Sequence, residues 1–280
     1  MRNKLYFIFL FILFSIPVFA AHENDPIGAR SGALGGTSLT LSDVWSVGNN
    51  QAAMAWNKGI SAGIFYENRF MTKELSRKVA AVCVATNSGV FGLSMNYFGY
   101  SQYNETKIGL AYAKSFGQKL SFGLQLDYLS TKIAENYGKN SAFTFEVGIL
   151  YKINKSLSIG THIFNPIQAK ISDYNNEKIP AIFRLGLTYT FSPKVFINIE
   201  TEKDINQNPV LKGGVEYHMI KPVYVRIGMS SNPTLSSFGF GVEFNSLKFD
   251  FASSYHQTLG FTPQVSLIYS FGNLDKSGNK

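Results

Sequence analysis

The sequence predicts an all-β fold, a transmembrane antiparallel β-barrel of about 14 strands. Three observations support this: a two-residue alternation, a sorting of connection lengths, and the aromatic end of the last strand. The alternation is plain in 120–128 (LSFGLQLDY) and returns in 143–151 and 183–191. Successive side chains of a strand point to opposite faces, so this period gives one apolar and one polar face. Runs of about nine to eleven residues are long enough to cross a bilayer when tilted.

The alternating runs and the turn residues between them divide the chain. We expect a signal peptide at 1–20, an N-terminal plug segment at 21–58, the barrel at 59–271 and a tail at 272–280. The strands are predicted at 59–71, 77–86, 89–99, 106–115, 119–132, 141–153, 156–166, 180–191, 195–203, 210–218, 223–230, 236–244, 247–257 and 263–271.

The predicted connections alternate in length along the chain. The short ones are 87–88, 116–118, 154–155, 192–194, 220–222 and 245–246. The longer ones are 72–76, 100–105, 133–140, 167–179, 204–209, 231–235 and 258–262. Outer-membrane barrels have short periplasmic turns and longer external loops. The alternation therefore predicts an outer-membrane barrel with an even number of strands and both termini in the periplasm.

The N-terminus has the pattern of a secretion signal. Arg2 and Lys4 precede the apolar stretch 6–19, and Val18–Ala20 is a small-residue cleavage site. An uncleaved membrane helix is the alternative, but the stretch is short for a span and polar residues follow it.

Composition limits the classes of function. Lys and Arg number 26 and Asp and Glu 18, which gives a formal net charge of +8. The excess is scattered and forms no basic cluster with interleaved aromatics, so no nucleic-acid binding is expected. Outer-membrane lipid headgroups are the expected partners of this charge. The 15 Tyr and 24 Phe suit the aromatic girdles of a membrane barrel, and the single cysteine, Cys83, excludes an intrachain disulfide framework.

Charged residues in the middle of predicted strands fall on the polar face. An Arg or Lys facing lipid at the bilayer centre costs about 2–4 kcal/mol, so these residues should face the lumen. Buried charges need partners, and we therefore expect an acidic partner for each arginine. Together, these inward-facing charged residues can form a polar conduit or binding site, or a paired network that fills a plugged barrel. The predicted lumen-facing residues are Glu146, Arg184, Glu200, Glu216, Arg226 and Glu243.

The last strand ends in Tyr269 and Phe271. This end resembles the signal by which the barrel-assembly machinery recognises its clients, with Ser266 where that signal usually has Gly. The resemblance implies that the machinery is a partner of this strand.

The segment ahead of the first strand carries an ordered set of motifs: GAR at 28–30, ALGGTS at 33–38, DVWS at 43–46 and NQAAMA at 50–55. The set resembles the N-terminal signature of the FadL-like outer-membrane barrel superfamily, including its PorV/PorQ-like branch of type IX secretion. Gln51 stands where that signature has Pro. Glycines there permit turns and close approach to a wall, and Ser42 or Asp43 is expected to cap a short helix. The candidate plug residues are Gly28, Arg30, Gly35, Gly36, Ser38, Asp43, Asn50 and Gln51.

The resemblance implies a barrel that binds or passes a hydrophobic or amphipathic small molecule. A PorV/PorQ-like structural or docking component of a type IX-type secretion system, with a secreted-protein partner, is the alternative. An outer-membrane lipid-modifying enzyme is a third reading, which needs a Ser and a His on one face. None of His162, His218 and His256 has a spacing that fixes a nucleophile and a base on one strand face, and none has metal-ligand spacing. We therefore predict no enzyme activity, no catalytic residues, no metal and no cofactor.

Overall fold

The computed structural model describes residues 24–134, 138–171 and 178–271. The predicted signal peptide, its cleavage site and the tail lie outside these residues. Fourteen strands are present. They are β1 (Ile60–Asn68), β2 (Ser76–Ala85), β3 (Val90–Gly99), β4 (Tyr103–Phe116), β5 (Leu120–Ile133), β6 (Lys139–Lys152), β7 (Leu157–Phe164), β8 (Ile182–Ser192), β9 (Val195–Asp204), β10 (Val210–Ile220), β11 (Val223–Ser230), β12 (Leu235–Phe244), β13 (Leu247–His256) and β14 (Gly260–Phe271).

Each strand pairs with its neighbours in sequence, and the first and last strands close the sheet. β1 and β14 are antiparallel, with Ile60 opposite Phe271 and Glu67 opposite Gln264. Closure gives every strand a paired neighbour on each side, as a sheet in lipid requires. The predicted antiparallel barrel of fourteen strands is confirmed.

The two faces of the wall differ as the alternation predicts. On β5, the Leu126 side chain is 59% exposed on the outside, whereas its neighbour Gln125 is fully buried inside. The same outward series of large apolar residues continues around the barrel, for example in Leu93, Leu185 and Ile227. An outward apolar belt around a polar interior is the pattern of a transmembrane barrel.

Two predicted long connections are wrong. β4 already begins at Tyr103 and β14 at Gly260, so the connections shrink to 100–102 and 257–259. Strand pairing extends to these ends, with Tyr103 opposite Ile133 and Gly260 opposite His256. The first strand is shorter than the predicted 59–71 and ends at Asn68, because Phe70 has a left-handed backbone with φ 53°.

The connection from β7 to β8 is the longest of the barrel, and its described part packs against the wall. Asn165 Nδ2 donates to the Ile179 carbonyl oxygen at 2.7 Å, and Thr144 Oγ1 donates to Asn165 Oδ1 at 2.6 Å. Ile179 joins a buried apolar cluster with Phe164 and Leu129. This packing covers the end of the short strand β7, beyond which β6 continues.

From residue 24 to the barrel, the described chain forms three short helices: α1 (Ala29–Ala33), α2 (Ser46–Asn49) and α3 (Gln51–Met54). No helix in the described part of the chain is long and apolar enough to cross a membrane. The predicted cap at Ser42 or Asp43 is wrong, since α2 begins at Ser46 with no side-chain cap. Asp43 Oδ1 instead accepts the Trp45 N–H at 2.9 Å in the preceding turn.

Leu126→Arg tests the orientation of the wall. Because Leu126 faces outward near the middle of β5, the substitution should lower the free energy of unfolding by about 2–4 kcal/mol. The measurement is urea unfolding of the barrel refolded into lipid vesicles. Leu126→Met is the matched control and should change stability by less than about 1.5 kcal/mol. Equal stability of the two variants would contradict the assignment.

Candidate functional site

The N-terminal segment, residues 24–59, lies inside the barrel against strands on all sides. The position of the segment is evident from glycines of the wall. A Cβ atom added at these glycines would collide with the backbone of the segment. A Cβ at Gly123 of β5 would lie 2.3 Å from the Gln51 carbonyl carbon. One at Gly228 of β11 would lie 2.1 Å from the Gly35 nitrogen. Because β5 and β11 are far apart around a closed barrel, contact with both places the segment in the lumen.

One side of the segment is apolar. Trp45, Val47 and Met54 are buried in a cluster with wall residues such as Phe65 and Cys83. The Trp45 and Phe65 rings meet edge to face, with centroids 6.1 Å apart. Burial of these side chains stabilises the contact of the segment with β1 and β2.

The opposite side of the segment is held by ion pairs. Arg30 forms a two-pronged contact with Glu216, in which Nε and Nη2 each lie 2.8 Å from a carboxylate oxygen. Arg226 Nε donates to Glu216 at 2.6 Å, and Arg226 Nη1 donates to Asp250 at 2.6 Å. Asp43 lies 3.8 Å from Arg30. The chain Arg30–Glu216–Arg226–Asp250 therefore ties α1 to β10, β11 and β13.

A second cluster centres on Glu146 of β6. Its Oε2 accepts from Gln51 Nε2 at 2.7 Å and contacts His162 Nε2 at 2.9 Å, while Lys107 Nζ bonds its Oε1. Gln51 Nε2 also donates to the Val47 carbonyl oxygen at 3.0 Å. Gln51 is the residue that replaces the signature's Pro, and its side chain links the segment to the wall.

The third cluster lies on β8 and β9. Glu200 accepts the backbone N–H groups of Ser38 at 2.9 Å and Leu39 at 3.2 Å. Arg184 pairs with Glu202 at 2.7 Å rather than with Glu200, and it also donates to the Asn24 carbonyl oxygen. Each predicted lumen arginine thus has an acidic partner.

The other predicted plug residues shape the backbone. Gly28, Gly35 and Gly36 have φ of 98°, 71° and 83°. Gly35 also needs the lack of a side chain, because a Cβ there would lie 2.5 Å from the Met229 carbonyl oxygen. Asn50 Oδ1 accepts the Ala52 N–H at 3.2 Å and thereby caps α3. Asn50 Nδ2 donates to the Leu39 carbonyl oxygen at 2.7 Å.

The lumen does not bring all the predicted residues together. Glu243 lies near the turn end of β12, where its carboxylate accepts the Tyr224 hydroxyl at 3.3 Å, apart from the three clusters. Sequence reasoning missed Glu202 and Asp250 as the partners of Arg184 and Arg226. Both occupy the inward positions of their strands, so the same alternation could have identified them.

A cavity of about 420 Å³ remains between the segment and the loop end of the barrel. Gly32, Gly35 and Gly36 line it from the segment. Its wall is amphipathic and combines Phe70, Ile182, Val210 and Leu235 with Arg69, Glu202 and Lys212.

Asp25 lies at the edge of this cavity and pairs with Arg69. Desolvation of the carboxyl group opposes ionisation, but the charges of Arg69, Arg77, Lys212 and Arg184 together outweigh it and lower the pKa of Asp25 to about 2. The carboxylate therefore stays charged at neutral pH and holds the start of the segment at the cavity.

Each histidine of the barrel contacts a neighbouring side chain or turn. His162 contacts Glu146, and His218 stacks on Tyr224 with ring centroids 4.3 Å apart. His256 Nδ1 accepts the N–H groups of Thr258 and Leu259 at 3.1 and 3.2 Å in a turn. In residues 24–134, 138–171 and 178–271 no group of three or more His, Cys, Asp or Glu side chains could hold a metal ion.

Solved structures of other barrels resemble this fold. The monoaromatic hydrocarbon channel CymD is 13% identical, with a TM-score of 0.70 over 89% of this chain and 98% of that one. The P. putida toluene transporter TodX is 12% identical, with a TM-score of 0.68 over 90% and 100%. A Pseudomonas aeruginosa FadL homologue is 13% identical, with a TM-score of 0.64 over 88% and 98%. At these identities the likeness shows a shared fold. No protein-family model matches the chain, and no curated protein matches it in sequence.

Gly214→Ala tests the close approach of the segment to the wall. The added methyl group would lie 2.5 Å from the Leu34 carbonyl oxygen, so the free energy of unfolding should fall by about 1–3 kcal/mol. Gly213→Ala on the same strand is the control, because its nearest neighbour would be 3.8 Å away. Urea unfolding in detergent measures both variants. A control as unstable as Gly214→Ala would show that the strand, and not the segment, is sensitive.

Glu146→Ala tests the buried cluster. The substitution leaves Lys107, His162 and Gln51 without their shared acceptor, and stability should fall by about 3–5 kcal/mol. Glu243→Ala is the control at the rim and should cost less than about 1 kcal/mol. Chemical unfolding compares the two. Similar losses would mean that the Glu146 cluster contributes no more than a surface pair.

Proposed function

We propose that this protein is a non-enzymatic outer-membrane channel that binds an amphipathic or hydrophobic small molecule at its loop end and passes it inward. The observation behind this is the amphipathic cavity of about 420 Å³ above the N-terminal segment. Small-molecule sites have volumes of about 300–1,000 Å³ and combine apolar walls with a few polar groups. The shared fold with the hydrocarbon channel CymD and the toluene transporter TodX supports the same class of function.

The cavity lining favours an amphipathic molecule. Phe70, Ile182 and Leu235 offer apolar contacts, and Lys212, whose Nζ donates to Glu202 at 2.8 Å, places a cation near the floor. An apolar tail with a polar or anionic head would satisfy both kinds of surface.

Passage requires the segment to act as a gate, because the lumen below the cavity is filled. The segment is held to the wall by Arg30 on Glu216 and by Gln51 on Glu146. These contacts join side chains and leave the strand pairing intact, so they can break while the barrel stays closed. With both termini in the periplasm, the cavity faces the outside of the cell.

A PorV/PorQ-like docking role is the second candidate, and exposed apolar residues at the loop end favour it. Met71 and Ile167 are 69% and 58% exposed, and Ile205 and Leu259 are also exposed at this end. Apolar side chains exposed on loops can form the contact surface for a secreted-protein partner.

The channel proposal is tested by filling the cavity. Ser237 is buried and lines the cavity, whereas Ser236, its neighbour on β12, faces outward. Ser237→Trp should lower the initial uptake rate of radiolabelled dodecanoate by whole cells several-fold, because the indole occupies the site. Ser236→Trp is the matched control and should leave uptake at the wild-type rate.

Two results would overturn the proposal. One is an uptake rate no higher with the wild-type protein than with an empty vector, for both dodecanoate and toluene. The other is equal uptake by the Ser237→Trp and Ser236→Trp variants at equal amounts in the outer membrane. Capture of a secreted protein that Met71→Ser abolishes, together with the first result, would favour the docking role.

A further inference from the structure

The outer wall of the barrel carries an apolar groove of about 460 Å³ across β14, β1, β2 and β3. Two small residues, Ala62 and Ala80, form part of its lining. Larger outward residues such as Ile64, Met95 and Tyr269 border them. The groove lies on the face that meets lipid, so an occupant comes from the membrane.

The strand register explains the groove. Ala80 lies between Ile64 on β1 and Met95 on β3 in one cross-strand row. In the next row, Ala62 lies opposite Tyr269. Each alanine leaves a gap among large side chains, and the two gaps adjoin on neighbouring strands. The result is a narrow apolar groove on the outer wall, and its width suits a single hydrocarbon chain.

A lysine stands at the loop end of this groove. Lys78 is two residues from Ala80 on the outward face of β2, about 7 Å further along the strand. Tyr66 and Tyr97 lie opposite it on the two neighbouring strands, and Lys78 Nζ is 5.8 Å from the Tyr97 ring centroid. Tyrosine and lysine together are typical of the level of the lipid headgroups.

The charged residues at outward positions of the described strands are all of one sign. In the described strands the acidic side chains occupy inward positions, while the outward charged residues are lysines. Four of these lie at the loop ends of their strands: Lys78, Lys132, Lys139 and Lys203. A rim of this kind attracts anionic headgroups of the adjacent leaflet. Only Lys78 adjoins the groove.

We propose that the groove binds one phosphate-bearing lipid of the leaflet at the loop end. An acyl chain lies along Ala62 and Ala80, and the lipid phosphate pairs with Lys78 between Tyr66 and Tyr97. This site is on the outer wall, separate from the cavity inside the barrel, and it does not depend on transport.

Native mass spectrometry of the detergent-purified full chain tests the site, with lipid A as the probe and a neutral diacylglycerol as the reference lipid. Wild type should retain one lipid A molecule more tightly than diacylglycerol. Lys78→Gln should weaken lipid A binding about five-fold. Ala80→Phe should also weaken it, because the ring fills the groove.

Matched variants elsewhere on the wall separate this site from general attraction. Lys132→Gln removes another outward lysine, and Thr201→Phe adds a ring at an outward position of β9. Both should bind lipid A as wild type does. Ala62→Phe replaces Ala80→Phe if the latter does not fold, as judged by heat-shifted migration of the barrel in gel electrophoresis.

Three outcomes would overturn the proposal. They are equal weakening by Lys78→Gln and Lys132→Gln, diacylglycerol binding as tight as lipid A binding, and wild-type affinity in the folded groove-filling variant. Loss of lipid A binding with normal dodecanoate uptake would still support the site, since the two proposals have separate readouts.

Discussion

Charges buried in the lumen need partners, and the N-terminal segment supplies several of them. Arg30 neutralises Glu216, Gln51 donates to Glu146, and the backbone N–H of Ser38 donates to Glu200. A buried charge that loses its partner costs several kcal/mol. The wall and the segment therefore depend on each other, and neither interior surface is satisfied alone.

Space imposes the second requirement. The segment fits because several inward positions of the wall are glycines where its backbone comes close, as at Gly123 and Gly228. Trp45 and Met54 fill the remaining room on the opposite side with apolar contacts. Protein interiors are packed to high density, and this lumen is filled in the same way, with ion pairs on one side and apolar packing on the other.

The filled lumen shapes the proposed function. Free space remains at the loop end, where the cavity is lined by apolar side chains and by the ion pair of Lys212 with Glu202. Under the proposed function, the side-chain contacts that hold the segment, such as Arg30 on Glu216, can break without breaking the hydrogen bonds of the sheet. The alternation of inward and outward side chains also shapes the outer wall. The proposed lipid groove forms there because Ala62 and Ala80 are small residues in cross-strand rows of larger outward side chains.

Much of the fold was predictable because it depends on local pattern. The two-residue period of 120–128 gave the faces of β5, and the inward parity of Glu216 and Arg226 placed both charges in the lumen. The predicted loops 100–105 and 258–262 failed because strand ends are decided by partners, here Ile133 for Tyr103 and His256 for Gly260.

The sequence by itself determined the strands, their faces and the polar character of the interior, because alternation is a property of neighbouring residues. Tertiary structure alone decided which charges meet. Arg30 of the segment pairs with Glu216 of β10, and the predicted lumen residue Glu200 binds the backbone at Ser38. Such pairings depend on barrel closure and on the path of the segment, which bring together residues more than a hundred positions apart. No local pattern in the sequence encodes that distance.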